Sequence, residues 1–263
     1  MSSKKAKRTR ARERVRLEQE RQAQEREQQQ RKSRRTRIIA LTAAGLAVVL
    51  IAVILGVAAQ QRRSADEGPA PRGAVAGGLA IPVGQPDAPV TLTVFEDFRC
   101  PACKGFEDRY GATIGDLVDS GDLRVEYRIA TIIDSLGSSG SKVAGNAAAC
   151  AQDAGRFREY HDRLFDHQPE EKVDGFTEER VIELAEPVAG LDTARFRACV
   201  EDERYRPWLK RVQTDFDDRY DRLVTPTVLL DGTMAFGGTP DEPVDTLKNP
   251  ANLKRTVQEK AGA

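Results

Sequence analysis

Apolar positions fall into three kinds of pattern along this chain. From Ile38 to Ala59 the sequence runs without a charge, and Thr42 is the one polar side chain. As a helix that stretch is about 33 Å long, enough to cross a hydrocarbon core of about 30 Å. Beyond it, Pro89 leads into Val90-Thr91-Leu92-Thr93-Val94-Phe95, whose β-branched and aromatic residues predict a strand. Leu123 to Ile129 alternates apolar and polar in the same way, and Pro101 to about Val118 between them predicts a helix. From about Ser141 to Tyr220 the period is helical. Val143, Ala147, Cys150 and Ala154 make one stripe, Phe157, Tyr160, Leu164 and Phe165 a second, and Tyr205, Trp208, Val212 and Phe216 another. Thr177 and Asp192 fit the N-caps of two further helices. Strand character returns at Thr227 to Leu230, and Asp231-Gly232 then signals a tight hairpin onto Thr233 to Phe236. A helix near Ala251 to Lys260 closes the chain. Strand, helix, strand, long helical block, hairpin, helix is the order of an α/β sheet domain, here over residues 81–263, with a helical insertion at about 139–222.

Charge separates what precedes that domain. Residues 1–37 hold 15 of the 41 Lys and Arg but only 5 of the 41 Asp and Glu, so this end is strongly basic and the remainder acidic. Its few sizeable apolar residues, Val15 and Leu17, cannot build a core. It reads as a solvated tail that fixes topology, with contact to anionic lipid as a by-product. Residues 60–80, rich in Gly, Pro and small side chains, read as a flexible linker. Because Arg34, Arg35 and Arg37 abut one end of the apolar run, the expectation for 38–59 is a single membrane span with a cytoplasmic N-terminus and an extracytoplasmic domain. A cleaved signal peptide is the rival, since Val57-Ala58-Ala59 ends in small residues. The basic and apolar regions are both longer than such peptides carry.

Four cysteines, Cys100, Cys103, Cys150 and Cys199, lie on the predicted outer side, where disulfides persist. The count alone allows three connectivities for two bridges. Cys100-Pro101-Ala102-Cys103 ends a strand and opens a helix, with Pro101 suited to the first helical position. The Cys100 sulfur then sits at a helix N-terminus, where unpaired N–H groups favour the thiolate that attacks disulfides. Cys103, one turn on, is the natural resolving thiol. Zinc held by Cys100, Cys103, His161 and His167 is the competing chemistry. The two His, six residues apart on a helix, would not share a face, so no metal is expected and each His reads as a surface or partly packed residue. No glycine-rich phosphate loop is present, so no nucleotide cofactor is expected, and with the basic tail read as a topology signal rather than an adhesion segment no nucleic-acid partner is expected either. Cys150 and Cys199 both fall on apolar stripes of the helical block. That placement favours a structural bridge between two helices, with two separate buried thiols as the alternative.

Phe95-Glu96-Asp97-Phe98-Arg99 before the cysteine motif, with Gly84 to Val90 upstream, resembles the DsbA-like branch of the thioredoxin superfamily, in particular its membrane-anchored actinobacterial members. The resemblance runs on through Ala148-Ala149-Cys150-Ala151, Cys199, Thr225-Pro226-Thr227 and Asp231-Gly232. It implies a thioredoxin-like fold and a cis peptide bond at Thr225-Pro226 packed against the Cys100 sulfur, with Pro226 and Thr225 presenting an extended substrate. By itself Pro226 is equally well the start of an edge strand. Two positions depart from the family. Ala102 stands where DsbA-type oxidants often carry His, and Val94 stands where thioredoxin-like strands commonly bury an acid. Glu96, on the same strand face as Val94, is a candidate proton relay in its place, or else a solvated carboxylate at the rim.

The function these features predict is extracytoplasmic thiol–disulfide exchange: oxidation of cysteine pairs in unfolded or reduced secreted proteins through a Cys100–Cys103 disulfide. The resemblance further implies reoxidation by a quinone-linked membrane partner. Reduction or isomerisation with the same motif, including reduction of cytochrome c maturation substrates, is the alternative. An anchored, non-catalytic binding domain is a third reading.

Overall fold

The computed structural model describes residues 68–170, 173–220 and 224–262, together with Ile51. The predicted membrane span and basic tail otherwise lie outside the described residues. Among the described residues no helix is long and apolar enough to cross a membrane.

The strands are β1 (Ile81–Val83), β2 (Val90–Glu96), β3 (Leu123–Ile129), β4 (Thr227–Leu230), β5 (Thr233–Gly238) and β6 (Pro243–Asp245), and the helices α1 (Pro101–Asp119), α2 (Gly140–Asp153), α3 (Phe157–Asp166), α4 (Glu178–Glu183), α5 (Ala194–Glu201), α6 (Arg206–Arg219) and α7 (Pro250–Ala261). A short 3-10 turn, Ile132–Leu136, precedes α2. The strands form one sheet in the order β1-β3-β2-β4-β5-β6. β2 and β3 are parallel, with α1 as their crossover, and every other neighbouring pair is antiparallel. This is the thioredoxin-like α/β arrangement, and α2 to α6 are inserted between β3 and β4.

Side-chain alternation along β2 sorts the helices onto the two faces of the sheet. Leu92 and Val94 belong to the large core with Phe106, Tyr110 and Ile114 of α1 and Leu253 and Val257 of α7. Phe95 points the other way, onto Phe216 of α6 at 5.1 Å between ring centroids and Tyr220 at 5.2 Å. Glu96, two residues beyond Val94, therefore faces α1, with its carboxylate inside the protein. The parallel register sets Val94 beside Tyr127 and Glu96 beside Ile129.

Cys150 of α2 and Cys199 of α5 are joined in a disulfide, with Cα atoms 6.0 Å apart and a sequence separation of 49. Asn146 ties the same two regions: its Nδ2 donates to the Val200 carbonyl and its Oδ1 accepts from Tyr205 N–H. The Thr177 hydroxyl caps α4 by accepting from Arg180 N–H. The cap of α5 is Thr193 and not Asp192, whose carboxylate pairs with Arg197 instead. Residues 68–80, which composition assigned to the flexible linker, are held on the domain at several points. Arg72 N–H donates to Asp153, Gln152 donates back to the Arg72 carbonyl, and buried Trp208 donates to the Gly78 carbonyl at 2.7 Å. Small residues and glycines here make turns that let the backbone lie close to α2 and α6, so their composition reads as a linker while their backbone groups are docked.

Candidate functional site

β2 ends at Glu96, and the four residues before α1 are fixed by polar contacts. Buried Asp97 accepts from Arg99 N–H and Ile133 N–H, both at 2.9 Å. The Arg99 guanidinium is buried with Asp134 at 3.4 Å, and Asp134 also accepts from Ser141 and Lys142 N–H at the start of α2. Gln168 Nε2 donates to the carbonyls of Phe98 and Cys100 at 2.8 and 3.1 Å. The segment carrying the first cysteine is thereby anchored to the helical insertion as well as to the sheet.

Cys100 is the N-cap of α1, in extended conformation, with Pro101 at the first helical position. Its carbonyl accepts from the N–H groups of Cys103 and Lys104 at 3.1 and 3.2 Å. Both cysteines are free thiols, Cys100 with 7 % of its surface exposed and Cys103 with none. Their acidities diverge. The hydrogen bond from the Cys103 thiol pulls Cys100 down from 9.0 to about 6. Burial opposes that change, while Thr225 and the N–H groups of Cys103 and Ala102 reinforce it. Burial pushes Cys103 well above its ordinary value, and the adjacent Cys100 pushes it further. One sulfur is set up as a thiolate and the other as a thiol that keeps its proton.

The Thr225-Pro226 peptide bond is cis. The Thr225 carbonyl lies 3.3 Å from the Cys100 sulfur and accepts from it when it is a thiol. β5 approaches this loop so closely that a Cβ on Gly237, whose φ is +112°, would sit 2.6 Å from the Pro226 oxygen. Only glycine is compatible with both that φ and that approach.

Behind the thiols, Glu96 is fully buried, so it is not a solvated rim carboxylate. Its Oε1 lies 2.8 Å from His161 Nε2. His161, expected at the surface or partly packed, is instead 1 % exposed. It packs among Phe98, Tyr127, Phe157 and Phe165, with ring centroids 4.6 to 5.7 Å away. Its Nδ1 lies 3.1 Å from the Asp162 carboxylate. A lone His in an apolar stripe at helical spacing gives no warning of this; the buried acid on the neighbouring strand makes it tenable. Glu107, one turn after Cys103 on α1, completes the group, and burial raises its carboxyl to about 8. Sequence reasoning passed over Glu107, although its i+4 spacing from Cys103 puts the two on one helix face. His167 stays apart, half-buried, with Nδ1 3.0 Å from the Arg163 carbonyl. The structure therefore brings together Cys100, Cys103, Thr225 and Pro226, and sets Glu96 behind them. Cys150 and Cys199 form their bridge elsewhere, in the helical insertion.

A dithiol at a helix N-terminus, facing a cis-proline on a thioredoxin-like sheet, defines the class of thiol–disulfide oxidoreductases. The chain belongs to the thioredoxin family, whose model, described as "Thioredoxin", matches residues 78–258. Within that family its relatives are DsbA-like. It is similar to a disulfide bond oxidoreductase (DsbG) of Mycobacterium tuberculosis, with 30% identity, a TM-score of 0.57 and coverage of 71% of this chain and 89% of that one. It is also similar to reduced DsbA of the same organism, with 28% identity, a TM-score of 0.57 and coverage of 70% and 93%. Against Disulfide bond formation protein D of Bacillus subtilis it is 24% identical over 151 residues, which span 66% of that protein.

Proposed function

We propose that this chain oxidises cysteine pairs in proteins outside the cytoplasm, using a Cys100–Cys103 disulfide, and that residues 38–59 anchor it in the cell membrane with its N-terminus inside. The observation that carries the reading is the divided acidity of the two thiols, Cys100 held near 6 and Cys103 held high. In the oxidised protein a substrate thiolate attacks the Cys100 sulfur. The Cys100–Cys103 bond breaks, a mixed disulfide forms at Cys100, and Cys103 leaves and takes up a proton. A second substrate thiolate then attacks the substrate sulfur of the mixed disulfide. This step releases the substrate's new disulfide and expels Cys100, whose low pKa makes it a good leaving group. Two electrons pass from substrate to protein, and a quinone-linked membrane partner accepts them to restore the disulfide.

Thr225 and Pro226 stand beside the Cys100 sulfur, where their backbone would pair with an extended substrate segment. Glu96, with His161 behind it, serves as the proton relay for Cys103 in place of the acid missing at Val94. Its charge lies close enough to raise the Cys103 thiol. The Cys150–Cys199 bridge supports an oxidising compartment, and the basic residues before position 38 support the orientation. Ala102, which offers no positive charge to the thiolate, favours a second reading in which the same pair reduces or isomerises disulfides.

The reduction potential of the pair, measured against glutathione buffers, decides between them. A value near about −120 mV makes the protein a disulfide donor. A value near about −270 mV makes it a reductant and overturns the oxidising assignment.

A further inference from the structure

The group behind the thiols holds more polar capacity than a proton relay uses. Glu96 at the end of β2, Glu107 on α1 and His161 on α3 each offer one ligand atom, and these atoms all lie within 4.8 Å of one another. Glu96 Oε2 and Glu107 Oε1 are buried and have no hydrogen-bond partner among the described residues. A buried carboxylate oxygen without a partner is expensive, and two such carboxylates grouped with an imidazole are what a cation satisfies at once.

The imidazole is oriented for that task. Its Nδ1 lies 3.1 Å from Asp162 Oδ1, so an Nδ1–H donated to this carboxylate leaves the Nε2 lone pair directed into the group. A cation would displace the proton now shared between Nε2 and Glu96 Oε1, so the relay role of Glu96 belongs to the metal-free protein. An approach exists as well. A cleft of about 520 Å³ between α1 and α3 is lined by six carboxylates, Glu107 and Asp162 among them, against the single basic side chain of Arg158. Such a cleft concentrates cations beside Glu107, the member of the group that lines it.

We propose that Glu96, Glu107 and His161 form a binding site for a divalent transition-metal ion of the zinc class, with water in the remaining position. One imidazole and two carboxylates suit zinc, cobalt or manganese better than calcium or magnesium, which take all-oxygen sets. Bond lengths of about 2.0–2.2 Å place tetrahedral donors roughly 3.3 Å apart. The three donor atoms therefore draw closer together on binding. This site shares His161 but neither cysteine with the two-Cys, two-His set considered from the sequence, and it is independent of the direction of electron flow.

The test uses the full-length chain in detergent with Cys100–Cys103 oxidised, so that no thiolate competes for metal. Cobalt(II) is titrated in and its visible d–d absorption followed, then zinc(II) is added as competitor. One cobalt per chain, displaced by zinc and accompanied by proton release, is the expected result. His161→Gln and Glu107→Gln should each abolish the absorption, and Asp162→Asn should weaken binding by roughly 10–100-fold. Circular dichroism confirms that each variant is folded. If oxidised wild-type protein binds neither ion at millimolar concentration, or if folded His161→Gln and Glu107→Gln bind as wild type does, the site does not exist. A wild-type titration that shows no binding overturns the site whether or not the variants fold.

Discussion

The divided acidity of the two cysteines fixes how the reduction potential must vary with pH. Reducing the disulfide adds two electrons, and two protons wherever both thiols stay protonated. Each pH unit then shifts the potential by about −59 mV, falling to about −30 mV when only one proton is taken up. Cys100 ionises at about 6 and Cys103 far above neutrality, so the slope should halve near pH 6 and stay halved through pH 8. The sign in stability terms is equally definite. Cys100 is depressed below its ordinary value of 9.0, so its thiolate stabilises the folded, reduced protein fully above pH 9 and loses that effect as pH falls through 6. At pH 7 the contribution is about 1.4 kcal/mol, rising to about 2.7 kcal/mol at pH 8. The pH 7 figure makes the disulfide about 30 mV more oxidising than an unperturbed pair. The assay is equilibration of residues 65–263 with glutathione buffers from pH 5 to 8, with the rate of Cys100 alkylation followed in parallel. A line that keeps the full slope to pH 8, with alkylation still climbing toward pH 9, would refute the geometry-based account of the thiolate.

Three further outcomes follow from the packing. Replacing Cys150 and Cys199 together by Ala removes a 49-residue loop closure and should destabilise the domain by about 2–4 kcal/mol, read by urea melts, with the Cys100 pKa unchanged. Gly237→Ala forces a side chain into a positive φ and against the Pro226 oxygen. It should cost about 1–3 kcal/mol in the same melts and slow oxidation of a model dithiol peptide. Glu96→Gln removes the proton relay beside Cys103, so opening of the Cys100–Cys103 disulfide by a model dithiol peptide, the step that expels Cys103, should slow in stopped-flow mixing, while alkylation of Cys100 stays as in wild type.

Much of the sheet was legible because its strands obey the period of two. Leu123 to Ile129 coincides with β3, and Thr227 to Leu230 with β4. The short edge strands β1 and β6 went unread, since three residues carry too little alternation to register. The register of β5 slips beside Val228 and Leu229, and the strand runs on through Gly237 and Gly238, whose lack of side chains hides it from any hydrophobic pattern.

The site divides along the same line between local and long-range causes. The position of Cys100 follows from the chain on either side of it: a strand that ends, a proline in the first helical turn, and N–H groups left unpaired. Those are neighbours in sequence, so the sequence exposes them. What pairs with the buried Glu96 comes from α3, which begins 54 residues after Cys103 and lays His161 across the end of β2. No spacing rule connects residues 96, 107 and 161. Their meeting depends on the insertion folding back over the first βαβ unit, where Gln168 and the Arg99–Asp134 pair lock it. The two thiols thus set each other's protonation by their contact, and the insertion contributes through Glu96, whose charge further raises Cys103. Loss of the His161–Glu96 contact should therefore move Cys103 chemistry more than the Cys100 thiolate, whereas a change that removes the Ala102 N–H should act on the Cys100 thiolate directly.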